Sequence, residues 1–167
     1  LTLRDTITNA SFELGARGSV TNVDVLPAYV EHLKSNIVLA RKDLRFAVDA
    51  GNGAGGPTAL AAMRGLGLDP IPLLCEMDGA FPVHHPDPTQ PENLALLLET
   101  MRKNDLELGI AYDGDADRIG VIDDRGDVVW GDRLMIVLSR ALLAKNPGAA
   151  ILGEVKCAQT LYDDIAT

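Results

Sequence analysis

Three aspartates occupy alternate positions, Asp113, Asp115 and Asp117, with Arg118 directly after them, inside the run LGIAYDGDADRIGVIDD at 108–124. Carboxylates two and four residues apart can turn to one side of a tightly bent backbone, where two charges about 4 Å apart repel by roughly 4 kcal/mol at an effective dielectric near 20. Such a cluster wants a cation. Oxygen donors with no Cys or His nearby select Mg²⁺, Mn²⁺ or Ca²⁺ over zinc. Gly114 and Ala116 are small enough to let the chain bend until the side chains converge. Spacing alone leaves a second reading open, a solvated acidic turn whose side chains point apart. An EF-hand is excluded, because Arg118 stands at the sixth position where Gly is required and Asp124 at the twelfth where a Glu is required.

A second candidate is Gly51, Gly53 and Gly56, which fit G-x-G-x-x-G between an apolar run at 44–49 and a helical pattern. That order suits a dinucleotide-binding turn, with NAD as the test ligand and Glu76, better placed than Asp69, to hold a ribose. The structural alternative is that these glycines let the chain turn tightly and pack a helix close to a sheet. His84 and His85 are adjacent, so an extended chain sends them to opposite faces, and no Cys or further His completes a zinc set. Cys75 and Cys157 sit in apolar or strand-like surroundings and read as free thiols of a reducing cytosol.

The run GIAYDGDADRIGVID resembles the metal-binding loop of the α-D-phosphohexomutases, the phosphoglucomutase/phosphomannomutase family, whose signature is DGD-small-DR between two strands. VDAGNGAGG at 48–56, FPVHHPDPTQPENL at 81–94 and GEVKCAQTLYDDI at 153–165 resemble the same family, in its order. Members move a phosphoryl group between the 1- and 6-positions of a hexose phosphate, through a phosphoserine enzyme and a bisphosphate intermediate. The resemblance implies that Asp113, Asp115 and Asp117 hold Mg²⁺ and that Arg118 reaches the phosphoserine or the transferring phosphoryl, where its planar fork matches phosphate oxygens. It also implies that Lys156 points into the cleft as a substrate or phosphate contact. By residue chemistry alone, Arg118 equally suits a salt bridge neutralising the aspartates, and Lys156 an ordinary strand-end lysine.

The elements that must position these groups follow from apolar spacing. The stretch 1–22 has no sustained period and reads as a linker or the tail of a preceding element. Val23, Leu26, Val30, Leu33 and Ile37 recur at helical spacing, with Asp24 or Asn22 as cap. Short apolar runs at 44–49, 69–75, 108–112, 119–122, 128–130 and 149–155 read as strands. Helices are expected from Pro57, over 91–103 behind a Thr89/Glu92 capping box, over 131–145 with Asp132 near the cap, and from Ala158 onward. Strands alternating with helices give an α/β chain, a three-layer α/β/α sandwich whose mixed, mostly parallel sheet has helices on both faces. In such sheets ligands sit beyond the carboxyl ends of strands, which is where the acidic loop falls.

The family resemblance divides the chain into a linker at 1–22, a second phosphohexomutase domain at 23–130, and the opening elements of a third at 131–167. Family activity also needs a first-domain serine loop, a sugar-selecting loop and a phosphate loop. Ser11, Ser19, Ser35 and Ser139 lack the serine context, so these 167 residues alone are expected to be inactive and to depend on the remaining domains of the parent chain. A net charge of −9 argues against nucleic acid or an anionic membrane as partner, while leaving room for a hexose phosphate gripped by a few Arg and Lys. Aromatics make up only 4%, so the core falls to Leu, Val, Ile and Ala. No apolar run approaches the roughly 20 residues of a membrane span and no signal-peptide pattern opens the chain, which makes a cytoplasmic location the default.

Overall fold

β1 (Phe46–Asp49) is buried at every position and is the pivot of the sheet. The computed structural model describes residues 2–166 apart from 13, 14, 16 and 17. β1 leads through α3 (Gly55–Gly65) to β2 (Ile71–Leu73), which pairs with it in parallel on one side. A turn-rich passage, a 3₁₀ turn at Pro91–Leu94 and α4 (Ala95–Asn104) then carry the chain across to β3 (Leu108–Tyr112), parallel to β1 on its other side. β4 (Ile119–Ile122) returns antiparallel to β3, and β5 (Val128–Val129) antiparallel to β4, so the order is β2-β1-β3-β4-β5. The sheet is mixed, with helices on both faces, as the pattern implies. Its pairings divide evenly between parallel and antiparallel because the acidic loop and the DRGD turn each reverse the chain.

Alternation along β1 sorts the core into two layers. Phe46 and Val48 point to the α3 side, where Leu60 and Met63 cover them; Ala47 points to the α4 side with Leu97, Met101, Ala111 and Ile122. α2 (Leu26–Asn36) lies against α3. The Leu26 amide donates to Asp24 Oδ1 at 3.1 Å, but the capping position of α2 is Val25, which supplies no side-chain cap, so neither Asp24 nor Asn22 is the cap. Across the opposite end of the sheet, Arg41 Nη2 donates to Glu107 Oε1 at 2.8 Å and the Arg45 amide to Glu107 Oε2 at 3.0 Å. These contacts pin the entries to β1 and β3 at the end remote from the acidic loop.

Several local expectations are corrected. The run 149–155 forms no strand: Leu152 is 88% and Val155 91% exposed, and an extended segment without a ladder partner is not a strand. The Thr89/Glu92 capping box does not form, because Thr89 Oγ1 donates instead to Asp87 Oδ1 at 2.7 Å and the turn at Pro91 has no side-chain cap. Within 1–22 a short helix, α1 (Leu3–Thr8), is capped by Thr2 and Asp5, with positions 1, 13, 14, 16 and 17 outside the described residues. α5 (Gly131–Lys145) has the expected bounds. Asp132 Oδ2 accepts from the Ala158 amide at 3.0 Å, and Arg140 pairs with Asp164, so the start and the middle of α5 are tied to α6 (Gln159–Ile165).

Candidate metal centre

The sheet itself selects the site. From β1 the chain turns one way to β2 and later crosses to β3 on the other side, so the crevice beyond the carboxyl ends of β1 and β3 is a topological switch point, the usual ligand position in open α/β sheets. Asp113 follows β3 directly and is 3% exposed; Asp115 and Asp117 are exposed at the mouth of the hairpin. Ala116 takes φ +61°, a left-handed conformation that tightens the turn, and its amide donates to the Asp113 carbonyl at 3.1 Å. One oxygen from each of Asp113, Asp115 and Asp117 lies within 4.8 Å of the others. The side chains converge, and the splayed, solvated turn is not what forms.

Arg118 closes the hairpin from its other side. Its amide donates to Asp113 Oδ1 at 3.0 Å and its Nε to Asp113 Oδ2 at 2.7 Å. Nη1 donates to Asp87 Oδ1 at 3.2 Å, and Asp117 Oδ1 lies 3.8 Å from Nε. The electrostatics divide accordingly. Burial raises the Asp113 carboxyl, but the Arg118 amide and guanidinium outweigh it and hold it below the ordinary carboxylate range. Asp117 is pushed up, first by the charge of Asp115 and then by that of Asp113. A trio in which one member already resists ionisation beside its neighbours has room for positive charge. Hard oxygen donors gathered this closely fit a divalent cation of the Mg²⁺ or Mn²⁺ kind.

The glycine loop 51–56 is packed rather than open. A Cβ on Gly51 would lie 2.8 Å from Pro86 Cβ, one on Gly53 2.7 Å from the Gly114 carbonyl oxygen, and one on Gly56 would run into the Cys75 carbonyl. The Ala54 amide donates to the Gly114 carbonyl at 2.9 Å, so this loop buttresses the acidic one. Its close approaches go to protein, not to a pyrophosphate. Glu76, the expected ribose holder, gives its carbonyl to Asn52 Nδ2 at 2.8 Å. Lys156 is exposed, with Glu154 Oε1 3.9 Å from its ammonium, and among the described residues it forms no ion pair with the acidic loop. His84 and His85 do face opposite ways: His84 turns inward to Asp49 and His85 outward to solvent. Asp87, which grips Arg118, is a site residue that spacing does not reveal; its place in HHPDP, directly between Pro86 and Pro88, is the signal the sequence offers.

Fold and site together define a three-layer α/β domain carrying a carboxylate trio, able to take a hard cation, at the carboxyl end of a central strand. The profile of the phosphoglucomutase/phosphomannomutase alpha/beta/alpha domain II matches residues 27–126, and the chain belongs to that family. It is 43% identical over 144 residues to a phosphomannomutase/phosphoglucomutase of Pseudomonas aeruginosa, a match covering 86% of this chain and 31% of that protein. A phosphoglucomutase of Neisseria gonorrhoeae is likewise 43% identical over 145 residues, 87% of this chain and 31% of that protein. The crystal structure of a phosphoglucomutase/phosphomannomutase family protein from Burkholderia thailandensis superposes with a TM-score of 0.87 at 40% identity, covering 98% of this chain and 35% of that one. The chain thus spans about a third of the length of the curated relatives it matches.

Proposed function

We propose that this chain is the metal-holding part of a phosphohexomutase, with domain II at 23–130 and the opening of domain III at 131–167. The complete enzyme interconverts hexose 1-phosphate and hexose 6-phosphate through a phosphoserine and a bisphosphate intermediate. The reading is carried by the convergence of Asp113, Asp115 and Asp117 oxygens within 4.8 Å in a chain of this family. Those three carboxylates, with the phosphoserine of the complete enzyme as a fourth ligand, would hold Mg²⁺, which would neutralise phosphate charge during transfer.

The remaining work belongs to the protein. Asp113, buried and kept ionised by Arg118, is the fixed member of the trio; exposed Asp115 and Asp117 can adjust as a ligand enters. Arg118 is half-exposed and spends Nε and Nη1 on Asp113 and Asp87. Among the described residues nothing holds its Nη2, which can donate to an approaching phosphoryl oxygen. Lys156 is exposed, and its family role as a phosphate or substrate contact requires elements of domain III beyond α6 to form the cleft around it. The free thiols Cys75 and Cys157 support a reducing, cytoplasmic setting.

Calorimetric titration with Mg²⁺ and Mn²⁺ tests the reading. Wild type binds weakly, because the phosphoserine ligand is not among these residues, and Asp115→Ala weakens binding by about tenfold or more, because affinity follows the number of ligand carboxylates. NAD gives no heat, and the 167-residue chain converts no glucose 1-phosphate. Undiminished Mn²⁺ binding by Asp115→Ala would dismiss the trio as the site.

A further inference from the structure

Behind the acidic loop lies a buried pair that the proposed cation site does not use. Asp49, the last residue of β1, has a side chain 1% exposed, and His84, 16% exposed, brings Nε2 to 3.2 Å from Asp49 Oδ2. The other carboxylate oxygen accepts from the Gly51 amide at 2.9 Å, and the other ring nitrogen, Nδ1, lies 3.0 Å from the His85 carbonyl. Burial pushes the Asp49 carboxyl up, against the pull of the Gly51 amide and His84. A carboxylate this far from water is retained where hydrogen bonds hold it.

His84 begins a strap, 84–88, laid across the carboxyl ends of β1 and β3. Pro86 is buried on Gly51 and lies 3.4 Å from the Cβ position of Gly114 in the acidic loop, while Pro88 is buried on Gly120 of β4. Between the two prolines, Asp87 accepts from the Thr89 amide at 3.1 Å, from Thr89 Oγ1 at 2.7 Å and from Arg118 Nη1 at 3.2 Å. Fixed φ at both prolines makes the strap stiff, so a shift at its His84 end reaches Asp87. Arg118 passes the constraint to Asp113 through its Nε.

We propose that Asp49 and His84 are positioning residues for the acidic loop: their bond fastens the strap to β1, so that Asp87 holds the Arg118 guanidinium in the orientation that presents Asp113. The consequence for cation binding rests on the reading under Proposed function; the control of Arg118 does not. Nothing in this role requires either residue to touch the cation or the substrate.

The test uses the 167-residue chain and three substitutions, His84→Ala, His84→Met, which fills the space without a donor, and His84→Gln, which restores one. The readout is the Arg118 Nε–Hε resonance, assigned by its loss in Arg118→Lys, together with Mn²⁺ affinity. In His84→Ala and His84→Met the resonance shifts and its proton exchanges faster, and Mn²⁺ affinity falls about tenfold, as is common when an outer partner of a ligand is lost. His84→Gln returns both toward wild type. If His84→Ala fails to fold, the contrast between the nearly isosteric Met and Gln chains decides. An unaltered Arg118 resonance in folded His84→Met overturns the proposal. Failure of wild type to take up Mn²⁺ would sink the metal reading instead, with the Arg118 resonance still reporting on the strap.

Discussion

At the scale of single residues, Arg118 does more than its position after the aspartates suggests. It bonds Asp113 through both amide and guanidinium and reaches Asp87 on a separate segment, so one side chain joins the hairpin to the strap. A lysine would keep the charge but, as a point donor on a flexible stem, could not span both carboxylates with fixed geometry. Arg118→Lys is therefore expected to weaken Mg²⁺ binding about tenfold, read by calorimetry, with the loss arising in Asp113 orientation rather than in net charge. Equal affinity in the two chains would show that charge alone suffices.

Among the elements, the glycine loop and α3 show how packing can imitate a ligand motif. G-x-G-x-x-G places small residues where another backbone must come close, and here the approaching backbones are those of Cys75 and Gly114. Gly56 opens α3 against the Cys75 carbonyl, leaving no space for a side chain. Gly56→Ala should lower the urea midpoint by the equivalent of about 1–3 kcal/mol, the usual cost of forcing atoms into a filled interior. An unchanged midpoint would mean that α3 can slide outward without penalty. β3 and β4 matter equally, because their antiparallel register sets where Asp113 leaves the sheet and Arg118 re-enters it.

For the molecule as a whole, the carboxylates dictate the response to acid. Asp87 is held low by the Thr89 hydroxyl and amide, Glu107 by the Arg45 amide and Arg41, and Asp123 by the Asp127 amide and Arg125. Asp113 is also low, the Arg118 bonds outweighing its burial. A carboxylate whose folded pKa lies below its unfolded value adds stability above the unfolded value, and that stability is lost as pH falls through the folded one. Asp49, raised by burial, and Asp117, raised by the charges of Asp115 and Asp113, act in the opposite sense and favour the fold when protonated, but they are outnumbered. The urea midpoint should therefore drop as pH is lowered from about 5 to about 3, since ordinary carboxylates titrate near 4. A midpoint that rises over that interval would refute this balance.

Much of this was legible in the order of residues. Short apolar runs bounded by turn residues marked β1, β3 and β4, and helical spacing marked α2, α4 and α5, because those signals are local and survive whatever packs against them. The aspartate spacing, for the same reason, marked an acidic loop, with a cation-holding cluster and a solvated turn both open. The tertiary structure decided three things that no local pattern carries. It chose convergence over splaying for Asp113, Asp115 and Asp117, by fixing the hairpin through Arg118. It gave the glycines to packing rather than to a nucleotide, by bringing Cys75, Pro86 and Gly114 against them. It also paired Asp49 with His84 and Asp87 with Arg118, contacts separated by 35 and 31 positions along the chain. Spacing cannot foresee such pairs, since only the crossing of the chain from β2 to β3 brings their segments together at one end of the sheet.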